Sequence, residues 1–295
     1  MKNSNYISTS NRIIQIFNNS ERNIDKKTVD SFGEEWSSFN TFSDKEVNLL
    51  GNEYFDIVTE KMLNANSIMA DFGCGSGRFS KFWQNKVKKI FAIDPSNAVF
   101  AADKLIGKDE NVEIIQASIS DLPFEDNFFD FGMSIGVLHH IPDTKMALND
   151  CVKKIKKGGY FYLYLYYKLD GRSFPFKLLW KMTDLIRSIV SKLPPKGKKI
   201  ICELIACFFY MPFVLLTRIC IFLRVSAKIC NKIPLSAYNN KSFFIIRNDA
   251  LDRFGTPLEQ RFSKIEIQKM MVDVGLRDII FSDRTPFWHA VGKKI

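Results

Sequence analysis

The chain alternates between short apolar runs and amphipathic stretches over much of its length. Runs that predict strands cover 68–72, 89–93, 112–116, 129–135 and 160–166. Stretches that predict helices cover 44–63, 78–86, 97–106, 146–155 and 264–274, and Ser43 is the predicted N-cap of the first. Two closing strands are predicted at 278–282 and 287–291. Strands that alternate with helices form a parallel sheet covered on both faces, so the pattern predicts an α/β fold. The closing strands are near enough along the chain to form an antiparallel pair.

Residues 169–248 break this alternation and predict a helical insertion. An amphipathic helix is predicted first, followed by a strongly apolar run over 200–223 that Pro212 interrupts. The longest uncharged stretch in that run, 204–217, has fourteen residues, whereas a bilayer span needs about twenty. We therefore predict a buried or interfacial helical pair.

These boundaries predict four parts of the chain. Residues 1–43 are a partly ordered lead-in, 44–168 the core, 169–248 the insertion and 249–295 a C-terminal completion of the core. A chain of 295 residues is long enough for one large α/β domain with a substantial insertion.

The net charge of +10 is concentrated in one part of the chain. Residues 151–250 contain 19 Lys or Arg and four acidic residues, a net charge of +15, so the remaining residues carry −5. The six cysteines form no C-x-x-C pair, and with three histidines they offer no zinc-like spacing, so no metal is expected. The first thirty residues lack the basic start and apolar run of a secretory signal, so we expect a cytoplasmic protein with reduced thiols.

A glycine-rich turn follows the first predicted strand of the core. Residues 71–77 read D-F-G-C-G-S-G, and Asp94 ends the next strand, a pattern typical of sites for adenosine-containing cofactors. A nicotinamide-type motif has a third glycine where this chain has Arg78, which argues against a pyrophosphate-binding dinucleotide. S-adenosylmethionine has no phosphate and carries a cationic amino acid tail, which suits Asp71. Asp94 can accept hydrogen bonds from both of its ribose hydroxyls.

Five motifs follow one another between about residues 66 and 167: D-F-G-C-G-S-G, A-I-D-P-S, D-L-P-F-E-D-N-F-F-D-F, G-V-L-H-H-I-P-D and I-K-K-G-G-Y. In this order they resemble the class I S-adenosylmethionine-dependent methyltransferases, specifically a type 11-like member, and residues 263–293 resemble the last helix and strand pair of that family. The resemblance implies a Rossmann-like, seven-stranded sheet whose final strand is antiparallel. It also implies S-adenosylmethionine over the carboxyl ends of the first strands, and a helical insertion, or lid, before the last helix and strands.

Carried over by position, the resemblance implies a set of cofactor-binding residues. These are Asp71, Gly73, Cys74, Gly75, Asp94, Pro95, Ser118, Ile119, Ile135 and Gly136. The first four are expected along the methionine and ribose part, Asp94 with Pro95 or Ser96 at the ribose and adenine edge, and the last two beside the transferable methyl group. Many relatives have an acid where this chain has Ser118, so contacts to adenine are expected from the Ser118 hydroxyl and the Ile119 backbone instead.

His139 and His140 follow the fourth strand, at the mouth where acceptors enter this fold. His140 occupies a position at which relatives commonly have histidine. Either residue is a candidate general base for a hydroxyl acceptor. The alternative is that these imidazoles pack the cofactor pocket or satisfy backbone groups of the loop. His289, in a closing strand, is expected to be structural.

Three segments are candidates for the acceptor side, namely 32–36, 252–257 and 261–263. They loosely resemble parts of methyltransferases from bacterial surface-polysaccharide pathways. The alternative for the first segment is that its aromatic residues cap the core. The expected reaction is methyl transfer, at oxygen, to a small-molecule or a glycan or lipid-linked acceptor.

The basic, apolar insertion has two interpretations. It is a lid that buries its apolar face and carries lysines for solubility, or it contacts an anionic membrane surface or a lipid-phosphate-linked acceptor. The second interpretation would place the protein peripherally at the inner membrane surface. Long aliphatic runs separate the charges, so nucleic acid is the less favoured partner and its methylation the less favoured function. A non-catalytic or regulatory protein that keeps the fold is the remaining alternative.

Overall fold

The computed structural model describes residues 4–17, 21–38, 42–168 and 174–295. The chain forms two compact units, Met1–Gly171 with Leu258–Ile295, and Arg172–Pro257. We call the first the sheet unit and the second the helical unit, and each is described by itself. The helical unit extends to Pro257, beyond the predicted end of the insertion at residue 248, and the predicted start at residue 169 lies outside the described residues.

The sheet unit is built on one nine-stranded sheet. Its strands are β1 (Ser4–Ser8), β2 (Ile13–Phe17), β3 (Ile68–Phe72), β4 (Lys89–Asp94), β5 (Val112–Gln116), β6 (Phe129–Ile135), β7 (Ile155–Tyr164), β8 (Leu276–Phe281) and β9 (His289–Lys294). Their order across the sheet is β1-β2-β5-β4-β3-β6-β7-β9-β8. Strands β2 to β7 run parallel, and β9 is antiparallel to both of its neighbours. The Rossmann-like α/β class and the antiparallel final strand are confirmed.

Two strands beyond the expected seven come from the segment predicted as a partly ordered lead-in. β1 and β2 form an antiparallel pair, and β2 extends the sheet at the edge of β5. Ile14 and Phe17 of β2 are buried, and Arg12 Nε forms an ion pair with Asp103 Oδ1 at 2.8 Å. β1 (SNYIS) gives little apolar signal, whereas β2 (IIQIF) is an apolar run that the sequence interpretation overlooked. The place of β2 in the sheet depends on its pairing with the distant β5.

The sheet unit contains α1 (Lys26–Ser38), α2 (Asp44–Tyr54), α3 (Arg78–Trp83), α4 (Ala98–Ile106), α5 (Thr144–Lys153) and, late in the chain, α11 (Lys264–Asp273). The predicted N-cap of α2 is correct, since Ser43 and Glu46 form a capping box. The helix was expected to continue to residue 63 and instead ends at Tyr54. The chain turns there because Phe55 stacks on Phe82, with ring centroids 5.5 Å apart.

Fully buried aromatic side chains form the centre of the sheet unit. Phe72 lies with its ring centroid 5.9 Å from Phe129 and 6.1 Å from Phe161. Complete burial of such a side chain stabilises a fold by about 2–3 kcal/mol. Because β3 to β7 are parallel, their carboxyl ends meet at one edge of this packed sheet, and that edge positions the loops described below.

The helical unit contains α6 (Phe174–Val190), α7 (Pro195–Ile205), α8 (Met211–Phe222), α9 (Ala227–Cys230) and α10 (Phe243–Gly255). A π-helical turn, Ala206–Tyr210, joins α7 to α8, so Lys196–Phe222 is one helix of 27 residues. Pro212 does not interrupt it because the proline lies in the first turn of α8, directly after the widened turn. By length and composition this helix is able to cross a membrane, and 28% of its most apolar window is buried.

Candidate functional site

The glycine-rich turn leaves β3 in a backbone conformation that favours glycine. Gly73, Gly75 and Gly77 have φ angles of 82°, 52° and 77°. The Gly73 amide donates to the carbonyl oxygen of Ile93 at 2.7 Å. A Cβ on Gly73 would lie 2.5 Å from the Val137 side chain. The turn is therefore packed against both the end of β4 and the loop after β6.

Asp71 precedes this turn as a buried carboxyl group. The Ser80 hydroxyl, on α3, donates to Asp71 Oδ2 at 2.7 Å. Burial raises the pKa of Asp71 to about 7, and the charge of Asp94 adds to this effect, while Ser80 and Arg78 oppose it. A cation beside Asp71 would favour its charged form, so the carboxyl suits a cationic ligand group. Burial also raises the pKa of the Cys74 thiol, which is therefore a neutral packing group.

Asp94 ends β4 with both carboxylate oxygens hydrogen-bonded inside the turn. Oδ2 accepts from the Gly75 amide at 3.0 Å, and Oδ1 accepts from the Ser96 amide and hydroxyl at 2.9 and 2.6 Å. Burial raises the pKa of Asp94, while the hydrogen bonds from Ser96 and Gly75 lower it. A carboxylate offers about four lone-pair positions, so acceptor capacity is left for the hydroxyls of a ligand. The carbonyl oxygen of the next residue, Pro95, accepts from Gln116 Nε2 at 3.3 Å.

The other predicted cofactor residues lie at the ends of β5 and β6. Ser118 is buried, and its hydroxyl caps the short turn Ile119–Asp121 by accepting from a backbone amide at 3.3 Å. Ile135 ends β6, and Gly136, with a φ of 74°, donates to the Tyr164 carbonyl oxygen at 3.1 Å. A Cβ on Gly136 would meet no described atom within 4 Å. The structure thus brings all the predicted cofactor residues to one edge of the sheet, with open space at Gly136.

Helix α1 reaches both the glycine turn and the histidine loop. Trp36 Nε1 lies 3.0 Å from the position of a Cβ on Gly75, and the Arg78 guanidinium is 5.1 Å from the centre of the Trp36 ring. Four residues earlier, Phe32 makes an edge contact with His140 at a centroid distance of 4.9 Å. The predicted segment 32–36 therefore lies beside two parts of the candidate site.

His139, in the loop after β6, is fully buried. Within the described part of the chain, neither of its ring nitrogens has a hydrogen-bond partner. Its ring centroid lies 4.0 Å from those of His140 and Tyr166. Burial, with smaller effects of His140 and Arg261, holds the pKa of His139 well below its ordinary value, so the ring is neutral at pH 7. A neutral imidazole has one accepting and one donating nitrogen.

His140 is held in place by the backbone of a distant segment. Its Nδ1 lies 2.6 Å from the carbonyl oxygen of Leu258, so this nitrogen carries the proton and donates. Its amide donates to the carbonyl oxygen of Val137 at 2.9 Å. These contacts favour the interpretation in which His140 satisfies backbone groups, and they distinguish it from His139.

Residues 258–262 run beside the histidine loop. The Gln260 amide donates to the carbonyl oxygen of His139 at 3.0 Å. The Glu259 side chain is almost completely buried, and its Oε1 forms an ion pair with Arg261 Nη2 at 2.7 Å. The predicted segment 261–263 therefore contacts the surroundings of the histidines, whereas 252–257 belongs to the helical unit.

Sequence analysis missed three side chains of this region, Ser80, Tyr166 and Glu259. The Tyr166 ring lies 5.3 Å from the Arg261 guanidinium, a contact between residues far apart in the sequence. No local pattern marks Tyr166 or Glu259. Ser80 had a usable signal, because it lies in the first turn of the helix that the glycine turn opens.

His289 joins two parts of the sheet unit. Its Nδ1 lies 2.7 Å from the carbonyl oxygen of Pro286, and its Nε2 lies 2.8 Å from Asp56 Oδ1. Asp56 also accepts from the Ser282 hydroxyl at 2.7 Å. These contacts link β9 to the segment after α2, which is a structural arrangement.

Sequence comparison identifies relatives of the central part of the chain. Residues 70–163 match the family described as "Methyltransferase domain". A sarcosine/dimethylglycine N-methyltransferase from Halorhodospira halochloris is 26% identical over 34% of this chain and 38% of that protein. A ubiquinone/menaquinone biosynthesis C-methyltransferase from Campylobacter jejuni is 31% identical over 31% of this chain and 41% of that protein. A ubiquinone biosynthesis O-methyltransferase from Xanthomonas oryzae is 27% identical over 40% of this chain and 51% of that protein.

A solved structure shares the fold over most of the chain. Human N-acetylserotonin methyltransferase, solved in complex with S-adenosylmethionine, has a TM-score of 0.50 and 13% identity, covering 89% of this chain and 56% of that protein. The match to the three curated relatives spans about half of their length or less. The family match over residues 70–163 includes the glycine turn, and the names of the three relatives differ in the atom that is methylated.

Proposed function

Because residues 70–163 form a class I S-adenosylmethionine-dependent methyltransferase domain, we propose that this protein transfers a methyl group from S-adenosylmethionine to a hydroxyl group. The proposed acceptor is a small molecule or a lipid-linked sugar. The observation that carries the proposal is the His139 imidazole, which is buried after β6 without a hydrogen-bond partner among the described residues.

The residues at the glycine turn fit this cofactor. Its sulfonium and ammonium groups are cationic, and Asp71 is a buried carboxyl whose charged form a cation would favour. Its ribose carries two hydroxyls, and Asp94 keeps acceptor capacity beyond its bonds to Gly75 and Ser96. The open space at Gly136, three residues before His139, leaves room for a ligand group.

Bound S-adenosylmethionine supplies an activated methyl group, so the protein's task is to align and deprotonate the acceptor. His139 is neutral at pH 7, and one of its nitrogens is able to accept the proton of an acceptor hydroxyl. The tilted Tyr166 ring, whose centroid lies 4.0 Å from that of His139, restricts rotation of the imidazole. The positive charge of Arg261 disfavours retention of the proton on His139, and so favours its release after transfer.

His140 has a positioning role in this proposal. Its hydrogen bond to the Leu258 carbonyl oxygen anchors the loop, and Phe32 packs against its ring. The rings of Phe32, His140 and Tyr166 form an aromatic cluster with His139, in which both histidines are buried. A ring compound that carries the acceptor hydroxyl would pack against this cluster with the hydroxyl directed to the imidazole.

Label transfer tests the proposal. The full chain is incubated with methyl-tritiated S-adenosylmethionine and, separately, with aqueous and organic extracts of the source cells. We expect label in a small-molecule or lipid fraction, in a form that hydriodic acid releases as methyl iodide under conditions that leave N-methyl and C-methyl groups intact. His139→Ala is expected to lower the transfer rate about a hundredfold or more while cofactor affinity is unchanged.

The matched variant is His140→Ala, whose expected effect is on stability and acceptor affinity rather than on the pH profile of the rate. Label that resists hydriodic acid would reject transfer to oxygen. Label recovered in RNA or DNA would favour a nucleic-acid methyltransferase. Absence of S-adenosylmethionine binding in calorimetry would instead favour a non-catalytic protein with this fold.

A further inference from the structure

The long helix Lys196–Phe222 exposes large apolar side chains over much of its circumference, including Phe209 and Leu216. Residues three, four or seven positions apart form one continuous exposed row: Ile200, Leu204, Phe208, Leu215, Ile219 and Phe222. Phe208 is 71% exposed and Phe222 is 85% exposed. Most of the 18-residue window with a mean hydropathy of 2.2 is left open to water. An exposed apolar surface of this length is typical of an interaction site.

The opposite face of the same helix is buried inside the helical unit. Its small and polar side chains, spaced three or four residues apart, are Cys202, Ala206, Tyr210, Val214 and Thr217. The first half of the helix, α7 with the π-helical turn, packs against α10, whereas α8 packs against α9 and the turn Ser236–Tyr238. Apart from Tyr210, the side chains on this buried face are smaller than the Leu, Ile and Phe side chains that the helix exposes.

The charged side chains within the apolar run form an ion pair and hydrogen bonds with other parts of the helical unit. Between Ile200 and Phe222 the sequence has two charged residues, Glu203 and Arg218. Glu203 forms an ion pair with Arg247 of α10. Arg218 donates to the carbonyl oxygens of Asn239 and Lys241, at 2.8 Å each. These contacts keep both charges away from the apolar face.

Helix α6 adds a second exposed apolar patch. Met182, Leu185 and Ile189 are spaced as one helical face and are 61%, 66% and 61% exposed. α6 packs against α10 and contacts α7. α6 and α7 thus both pack against α10, and both leave large apolar side chains exposed.

Basic residues lie at both ends of the long helix. Lys192 and Lys196 are exposed at its start, and Arg224, Lys228 and Lys232 are exposed after its end. Residues 172–257 contain fifteen Lys or Arg against four Asp or Glu, a net charge of +11. A surface that combines an apolar face with a cationic border complements an anionic lipid leaflet.

We propose that the helical unit docks on an anionic phospholipid surface, with the long helix lying in the plane of the interface. The apolar faces of the long helix and α6 enter the boundary between headgroups and acyl chains, and the flanking Lys and Arg contact lipid phosphates. The proposal stands on the helical unit alone and is independent of the acceptor that the sheet unit methylates.

The surroundings of the helix favour an in-plane over a spanning orientation. A spanning helix would carry its packing partner α10 into the hydrocarbon, including Arg247, Asp249, Asp252 and Arg253. Charged side chains at that depth are strongly disfavoured. Cations also flank the apolar run at both ends, whereas a spanning helix shows an excess at one end.

Vesicle sedimentation of the full chain tests the proposal. We expect the protein to sediment with vesicles of phosphatidylcholine and phosphatidylglycerol, and about tenfold less with phosphatidylcholine alone. Double substitution Phe208→Ser with Phe222→Ser is expected to weaken the apparent partition coefficient about tenfold or more. Neutralising Lys192, Lys196 and Lys228 to Gln is expected to weaken it on anionic vesicles and leave the phosphatidylcholine value unchanged.

Matched controls come from exposed residues of the sheet unit. Ile265→Ser removes a side chain that is 78% exposed, and Lys45, Lys104 and Lys108 changed to Gln remove three exposed charges. Both controls are expected to bind vesicles like the wild type, and circular dichroism verifies that every variant is folded. The wild-type dependence on lipid charge is itself a test that needs no variant.

Three outcomes would overturn the proposal. The first is wild-type protein that stays in the supernatant with every vesicle. The second is protein that alkaline carbonate does not extract from the vesicles, which indicates a spanning helix. The third is a dimer in light scattering that the Phe208→Ser and Phe222→Ser change dissociates while vesicle binding is absent, which indicates a second copy as the occupant.

Discussion

The sheet unit and the helical unit use the same apolar residue types in opposite ways. In the sheet unit, Phe72, Phe129 and Phe131 are fully buried. In the helical unit, Phe208 and Phe222 are 71% and 85% exposed. Removal of apolar surface from water drives the first arrangement. Exposure of Phe208 and Phe222 has no such driving force in water. It becomes favourable where a less polar medium contacts these side chains.

Buried polar groups show the same contrast. In the sheet unit, Asp71, Asp94 and His139 are buried around the candidate site, where a ligand would use them. In the helical unit, Lys198 and Asn248 are buried while large apolar side chains face outward. Buried polar groups therefore favour a ligand site in the sheet unit, and internal packing in the helical unit. The following predictions test this difference, from the largest expected effect to the smallest.

Truncation of one phenylalanine in each unit is the strongest test. Phe129→Ala is expected to lower the free energy of unfolding by about 3–5 kcal/mol, because it leaves a cavity in a closed core. Phe222→Ala is expected to change it by less than about 0.5 kcal/mol, because the side chain is exposed. Urea unfolding followed by circular dichroism measures both. Equal losses for the two variants would show that the apolar face of the helical unit is covered in solution.

Glycine substitution compares the backbones of the two units. Gly73→Ala is expected to lower the free energy of unfolding by about 3 kcal/mol, because Gly73 has a left-handed backbone conformation and the added Cβ would lie 2.5 Å from Val137. Gly158→Ala isolates the conformational effect, since the φ of Gly158 is 81° and an added Cβ would meet no described atom within 4 Å. We expect it to lower the free energy of unfolding by about 1 kcal/mol. Gly197→Ala, in α7, is expected to stabilise the protein by up to about 1 kcal/mol. A stable Gly73→Ala protein would contradict the packing of the turn.

Cofactor binding is expected to depend on the sheet unit. Asp94→Ala is expected to weaken S-adenosylmethionine binding about a hundredfold in calorimetry, because hydrogen bonds to a charged acceptor are lost. Asp283→Ala, whose side chain is 94% exposed, is the matched control and is expected to bind normally. Lys196→Gln in the helical unit is also expected to leave the affinity unchanged. An unaffected Asp94→Ala protein would exclude this carboxylate from the site.

The pH dependence of stability reports the burial of Asp71. Burial raises its pKa from 3.8 to about 7, so between these values the folded protein binds more protons than the unfolded chain. The contribution of Asp71 to stability is therefore highest below pH 3.8 and is lost as the pH rises towards 7. Asp71→Asn is expected to remove this dependence and to stabilise the ligand-free protein at pH 8 by on the order of 2 kcal/mol. If the melting temperatures of the wild type and of Asp71→Asn changed equally with pH between pH 5 and pH 9, this prediction would be contradicted.

Much of the sheet unit was predictable because its signals are local. The rhythm of strands and helices, the N-cap Ser43 and the glycine turn all follow from residue spacing within short windows. The position of the hairpin β1–β2 in the sheet was not predictable in this way, since it depends on the pairing of β2 with β5, although the apolar run of β2 was a local signal. The early end of α2 depends on the contact of Phe55 with Phe82, and the continuity of the long helix depends on a π-helical turn before Pro212.

The sequence by itself determined the α/β class, the donor motifs and the uneven distribution of charge. Each is encoded in composition or in the order of neighbouring residues. The tertiary structure alone distinguished His139 from His140, because the distinction rests on a hydrogen bond from His140 to Leu258, a residue 118 positions away. It also decided which residues of the long helix are exposed, since burial is set by packing against α10, α9 and the turn Ser236–Tyr238 and not by the apolar run itself. Local chemistry thus indicated the methyl donor, while long-range packing selected the candidate base and the surface that we propose docks on lipid.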